Sequence, residues 1–484
     1  MVELLKEKLN KTQTENNSVC YETTGNYLLD CFANIGAMRN RSEDDILKIF
    51  YKALAEDKLL AVKMLFYVRD IREGLGERRI FKVILRSLAL NYPSIVKKNM
   101  HLIPEYGRYD DLFVLFDTVC EDDMMNLIID QLLIDMQSEY PSLLMKWLKS
   151  ENTSSKESRD IARKLRERLN LSPKEYRRAL SVGRNKLRVI ERLMSEGRWD
   201  EIDFSKITSK NMLQYNIAFI KHCSERFNEY KMDVVQGKQK LNAATLYPYE
   251  IIRKLLGYVY IDEETFKNDK QTCELLWKNQ PEIIGDKDAN ALCVVDVSGS
   301  MFGRPLEVAI SLGLYTAERL NGVYHNHFMT FSDKPTIQRI VGEGLYEKVL
   351  NIRKSDFGFN TNLAACFDII LKTAIENKVD KNDLPEKLLI ISDMEFDECV
   401  MQGDMTIFEK YSKEFQDNGY NLPVVVFWNV DSRKNSMQVK SDNTNVLLVS
   451  GLTPNLLKGV LKYNNPLEMM YETLNSERYM KVEI

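Results

Sequence analysis

Ala291-Leu292-Cys293-Val294-Val295-Asp296-Val297-Ser298-Gly299-Ser300 is the stretch on which the reading of the fold turns. Its apolar run reads as a buried β-strand. The strand ends by delivering one carboxylate and two hydroxyls into a loop before a helix. Hard divalent cations prefer oxygen ligands, and Mg²⁺ keeps octahedral geometry with several waters. Asp296, Ser298 and Ser300 would thus form part of an open oxygen site that a partner's carboxylate could complete. Alone, the pentad equally fits a strand ending in an Asx-type turn with serines capping the next helix.

Two later stretches decide between these readings. Phe357-Gly358-Phe359-Asn360-Thr361-Asn362-Leu363 places a threonine in a loop before an apolar-periodic helix. Leu388-Leu389-Ile390-Ile391-Ser392-Asp393-Met394 is a second buried strand with an aspartate just past its end. Open α/β sheets bind ligands outside the carboxyl ends of their strands. Asp296, Ser298, Ser300, Thr361 and Asp393 then fall on three loops at one sheet edge. Their order and spacing resemble the metal-ion-dependent adhesion site of von Willebrand factor A (vWA) domains. That resemblance implies Mg²⁺, or another divalent cation, on those five residues. It also implies a protein partner that donates a carboxylate.

Working outward, strand patterns at residues 292–297, 325–332, 388–392, 424–428 and 446–450 alternate with helical patterns at 306–320, 363–375, 405–415 and 455–461. Continuous apolar strands separated by helices predict a doubly wound parallel sheet over residues 288–484. Upstream, strand alternation is nearly absent. Ser42 with Asp45, and Ser172-Pro173-Lys174-Glu175, read as helix starts. Roughly ten to fourteen helices with short links predict a HEAT-like superhelix or ring over residues 41–287. The fold class is therefore α plus α/β, with the boundary in Gly285-Asp286-Lys287-Asp288. Residues 1–40, with the polar run 11–18, read as a flexible arm.

With 484 residues, 44% hydrophobic and 29% charged, the chain is ordinary for a globular protein of two to four domains. No apolar run is long enough for a membrane span, and the amphipathic start lacks the apolar core of a signal peptide. Eight scattered cysteines, without C-x-x-C or a histidine at zinc spacing, predict reduced thiols in an intracellular, cytoplasmic protein. His325 and His327 read as ordinary strand residues. The net charge of −4 is unevenly spread. Residues 146–198 hold sixteen Lys or Arg against seven Asp or Glu, a balance of +9, which leaves −13 elsewhere. Such asymmetry suggests a footprint for a polyanion.

A helical module followed by a vWA domain resembles the Ro ribonucleoprotein (TROVE) architecture, in which a ring of HEAT-like helices binds small structured RNAs and the ends of misfolded RNAs. Local motifs are closer still to domain-of-unknown-function family 2828. They include Tyr67-Val68-Arg69-Asp70-Ile71-Arg72, Gly76-Glu77-Arg78-Arg79, Ile103-Pro104-Glu105-Tyr106-Gly107-Arg108-Tyr109-Asp110-Asp111-Leu112, Lys146-Trp147-Leu148 and Val426-Phe427-Trp428-Asn429. The resemblance runs from about residue 20 to about residue 475. It implies a non-catalytic RNA-binding protein with small structured or misfolded RNA as partner and no membrane. The alternative is a protein-interaction scaffold whose metal site docks an acidic partner residue, without RNA.

The candidate RNA contacts are Arg159, Arg163, Lys164, Arg177, Arg178, Arg184, Lys186 and Arg188, near Tyr176 and Trp199. Basic groups neutralise phosphates and aromatics stack on unpaired bases. Arg69, Arg72, Arg78 and Arg79, around the Gly74-Leu75-Gly76 turn, either bind phosphate or pair with Asp70, Glu73 and Glu77. Pro104 to Asp111 reads as an inter-helix connector with a capping aspartate. No P-loop, nucleophile elbow or zinc-hydrolase motif supports an enzyme. Asp393, Glu395 and Asp397 suggest a two-metal nuclease only weakly, because the vWA pattern already accounts for Asp393.

Overall fold

The computed structural model describes residues 9–241, 243–257, 262–285, 288–331, 334–354, 362–396 and 405–484. Among these residues the strands are β1 (Lys11–Gln13), β2 (Val19–Tyr21), β3 (Ala291–Val295), β4 (His327–Thr330), β5 (Ile337–Arg339), β6 (Lys387–Ser392), β7 (Val424–Asn429) and β8 (Val446–Ser450). The first two form a hairpin, and the other six form one sheet in the order β5-β4-β3-β6-β7-β8. All its pairings are parallel except that of β5 with β4. Every residue of β3, β6 and β8 is buried, as expected for strands covered on both faces. The short, polar β5 gave no strand signal in the sequence.

From β3 the chain moves outward to β4, then returns to place β6 on the other side of β3. This is a topological switch point, where the loops leaving adjacent strands part and open a crevice. Val295 pairs with Thr330 on one side and Ile391 on the other. That register brings the residues after β3 and β6, Asp296 and Asp393, out at the same edge.

Upstream of the sheet, amphipathic helices follow one another from Glu43–Glu56 to Glu263–Lys278. Ser42 caps the first of these on Asp45 N, and Ser172 and Glu175 form a capping box at Pro173–Lys186. The helical region begins and ends on the sheet domain. Helix Tyr27–Asn34 packs on β8, and helix Pro248–Leu256 packs on Arg304–Arg319, with Arg253 paired to Glu307 at 2.6 Å. Its early and late parts also meet, since Tyr247 Oη donates to the Leu75 carbonyl at 3.2 Å.

Residues 9–40 correct the expectation of a loose arm. Beyond the β1–β2 hairpin, Tyr21 bridges to Met437, and Leu28, Leu29, Cys31, Phe32 and Ile35 are buried. The polar run is only the hairpin and its turn; the apolar residues behind it anchor the segment. Gly36 shows how close the approach is, because a Cβ there would lie 2.3 Å from the Ser450 carbonyl oxygen. Residues 1–8, and Asp286 and Lys287 of the expected boundary, lie outside the described residues. His325, just before β4, and His327, its first residue, both contact backbone carbonyls through Nδ1.

The C-terminal tail returns to the helical region. Arg478 forms a two-pronged pair with the buried carboxylate of Asp70, at 2.7 and 3.0 Å, and Tyr479 Oη also bonds Asp70. Removing one member of a buried ion pair strands the other. Asp70→Ala is therefore expected to lower stability by about 3 kcal/mol, measured as a shift in the urea unfolding midpoint.

Candidate functional site

Asp296 is wholly buried beyond the end of β3. Its Oδ1 accepts from Ser298 N at 2.9 Å, and its Oδ2 accepts from Ser392 Oγ at 2.6 Å. Ser298 Oγ and Ser300 Oγ are 3.1 Å apart, with Ser298 buried and Ser300 exposed. Asp393, 2% exposed, accepts from Glu395 N through Oδ1 at 3.3 Å. Its Oδ2 is buried without a hydrogen-bond donor, although Arg433 Nη2 stands 3.2 Å away. The next residue, Met394, has φ +66°, a left-handed backbone uncommon for a non-glycine residue and frequent at functional sites.

The fold thus brings together four of the five residues singled out in the sequence: Asp296, Ser298, Ser300 and Asp393. Thr361 lies outside the described residues, as do Phe357 to Asn360 and Asp397. Burial, and next the Asp393 carboxylate, push the Asp296 carboxyl up to about 6; burial also raises Asp393. Two crowded carboxylates beside two hydroxyls are a donor set suited to a hard divalent cation. Among the described residues, no three His, Cys, Asp or Glu side chains converge as an alternative metal cluster.

Sequence reasoning missed three neighbours. Ser392 orients Asp296, and its place beside Asp393 in the strand was a usable signal. Arg433, in the loop after β7, donates to the Ser300 carbonyl at 2.9 Å and pairs with Glu15 at 3.2 Å. Neither Arg433 nor Glu15 carries a local sequence signal for this role.

The basic residues divide into two groups. Arg69 is 2% exposed and paired with Asp111 at 2.7 Å, which corrects its reading as a phosphate contact. Asp111 also accepts from Arg108 N, so the capping connector is itself the arginine's partner. Arg72 donates to the Glu105 carbonyl, Arg78 pairs with Asp110, and Arg79 donates to the carbonyls of Arg39 and Arg41. Tyr176 is buried with its hydroxyl on the Lys149 carbonyl, so it offers no stacking face. Trp199 stacks on His222 at 4.2 Å.

In the second group, Arg159 is held by the carbonyls of Thr153 and Ser154, Lys164 pairs with Asp117, and Arg163 lies 3.5 Å from Asp160. Arg177 and Arg178 are exposed. Arg184 braces the carbonyls of Met145 and Leu148. It also lines a cleft of about 620 Å³ with Lys186, Arg188, Arg192 and Arg198, of which Arg192 pairs with Glu196 and Arg198 with Glu196 and Glu201. Arg188 holds φ +47° at this cleft.

A helical region joined to a vWA-type, mostly parallel sheet is the Ro-like class of architecture. The Ro (RSR) protein of Deinococcus radiodurans has this fold; its crystal structure matches with a TM-score of 0.50 at 12% identity, over 91% of this chain and 99% of that one. The chain belongs to the family described as domain of unknown function DUF2828, whose model matches residues 14–168 and 142–286. A second model, domain of unknown function DUF7788, matches residues 290–482. Uncharacterized protein L728 of Acanthamoeba polyphaga mimivirus is 30% identical over 509 aligned positions, covering 96% of this chain and 87% of that protein.

The raised carboxyl sets a pH prediction. Metal-free, an ionised Asp296 opposes folding, so its contribution to stability falls as pH rises from 3.8 through about 6. A cation needs the ionised form, so Mg²⁺ is expected to raise the melting temperature above about pH 6 and to lose that effect below it. Asp296→Ala should show no Mg²⁺ effect at any pH, with calorimetry as the check.

Proposed function

We propose that this protein is a non-catalytic RNA-binding protein with a Mg²⁺-dependent ligand site in its vWA-type half. The observation that carries the RNA reading is the cleft bordered by Arg184, Lys186, Arg188, Arg192 and Arg198, with Arg177 and Arg178 exposed on the same segment. Arg192 and Arg198 pair with Glu196 and Glu201, and Arg184, Lys186 and Arg188 add positive charge beyond those pairs, which a phosphate backbone would neutralise, releasing counterions. A cleft rather than a flat face favours single-stranded ends or loops, where RNA is most readily recognised. The Ro-like fold supports the same reading by architecture only.

For the metal, Asp296 and Asp393 would supply charge, and Ser298, Ser300 and Thr361 would supply hydroxyl oxygens. Bound there, Mg²⁺ would supply an open coordination position for an acidic group of a protein partner. Arg69, buried on Asp111, has no place in the RNA surface, whereas Arg72, Arg78 and Arg79, each tied to a neighbour, stay exposed.

The test is an electrophoretic shift with an RNA hairpin bearing a single-stranded tail, titrated over salt concentration. Combined reversal of Arg177, Arg178, Lys186 and Arg188 to glutamate, all exposed, is expected to weaken binding by about tenfold or more and to flatten the salt dependence. Binding unchanged by the reversal would move the RNA surface elsewhere. No RNA binding even at low salt, with a metal-dependent protein pull-down that survives nuclease, would favour the scaffold reading.

A further inference from the structure

The turn of the β1–β2 hairpin is clamped beside the candidate metal centre. Thr14 Oγ1 donates to the Phe396 carbonyl at 2.8 Å, Glu15 N donates to Glu395 Oε2 at 2.6 Å, and Asn16 Nδ2 donates to the Glu395 carbonyl at 2.8 Å. These bonds hold the turn against the loop that carries Asp393. They leave the Glu15 carboxylate facing Arg433 at 3.2 Å. The other arm of that guanidinium stands 3.2 Å from Asp393 Oδ2 and donates to the Ser300 carbonyl at 2.9 Å. One cation therefore lies between a buried oxygen of the centre and a carboxylate brought by a segment some 380 residues distant in sequence.

We propose that Glu15 is an internal acidic ligand of this centre and that, with Arg433, it forms a plug which an external carboxylate must displace. The proposal rests on the metal reading above. Arg433 supplies positive charge beside Asp393, so a divalent cation on the Asp393 oxygens meets like-charge repulsion from it. Uptake of the cation drives the guanidinium away from Asp393. Glu15 remains tethered close to the cation at high effective concentration and competes with any free acid. The chemical class of the external ligand follows: a carboxylate, such as an aspartate or glutamate side chain of a protein partner.

The pair is well suited to mutation, because both side chains are more than a third exposed, at 35% for Arg433 and 40% for Glu15. The full chain would be titrated with Mn²⁺ by calorimetry. Acetate would then be titrated onto the Mn²⁺-loaded protein, read by paramagnetic broadening of its carbon resonance. Arg433→Ala is expected to bind Mn²⁺ about tenfold more tightly than the parent. Glu15→Gln, once loaded, is expected to bind acetate about tenfold more tightly. Mn²⁺ uptake by Arg433→Ala but not by the parent would also support the plug. Equal Mn²⁺ and acetate affinities in the parent and both variants would overturn the plug while leaving the metal reading standing. Failure of parent and variants alike to bind Mn²⁺ would overturn both.

Discussion

The parallel register of β3 against β6 is the constraint on which the rest depends. Pairing Val295 with Ile391 carries Asp296 and Asp393 to one edge of a sheet buried on both faces. Two carboxylates crowded there oppose folding electrostatically. The structure offsets this locally with the Ser298 amide, the Ser392 hydroxyl and the Arg433 guanidinium. An arrangement that concentrates negative charge at a switch-point crevice is difficult to explain by packing alone.

The same sheet organises the helical region. Residues 27–40 rest on β8, helix Pro248–Leu256 rests on the helix that follows β3, and the C-terminal tail reaches back to Asp70. Three separate attachments mean that the two halves do not behave as beads on a linker. The hairpin ahead of these helices also closes over the loop that carries Asp393, so the sequence-remote Glu15 enters its electrostatics.

Charge that looks equivalent in sequence is divided by burial. Arg69 and Arg188 each sit in an arginine-rich stretch. Arg69 faces the carboxylate of Asp111 and is sealed from solvent, while Arg188 opens onto a cleft with few acids. A buried pair of the first kind favours a specific packing arrangement at considerable desolvation cost. The second kind keeps its hydration and its long-range field.

The sheet domain, its strands near 292, 388, 424 and 446, and the carboxylates at 296 and 393 were legible in the chain. Apolar runs and the residues that end them are local properties. Ser42 and Ser172 were legible for the same reason, since a helix cap is decided within four residues. The polar hairpin turn at 14–18 misled because its partners, Glu395 and Phe396, are distant in sequence. Tyr176 and Arg69 misled because side-chain type says what a group can bind, whereas burial decides whether a ligand can reach it. Sequence by itself determined the element types, the sheet class and the chemistry offered at its edge. Only the tertiary structure decided which charges are shared between Asp393, Arg433 and Glu15 and which arginines remain free to act, because those outcomes depend on contacts between remote segments that no local pattern encodes.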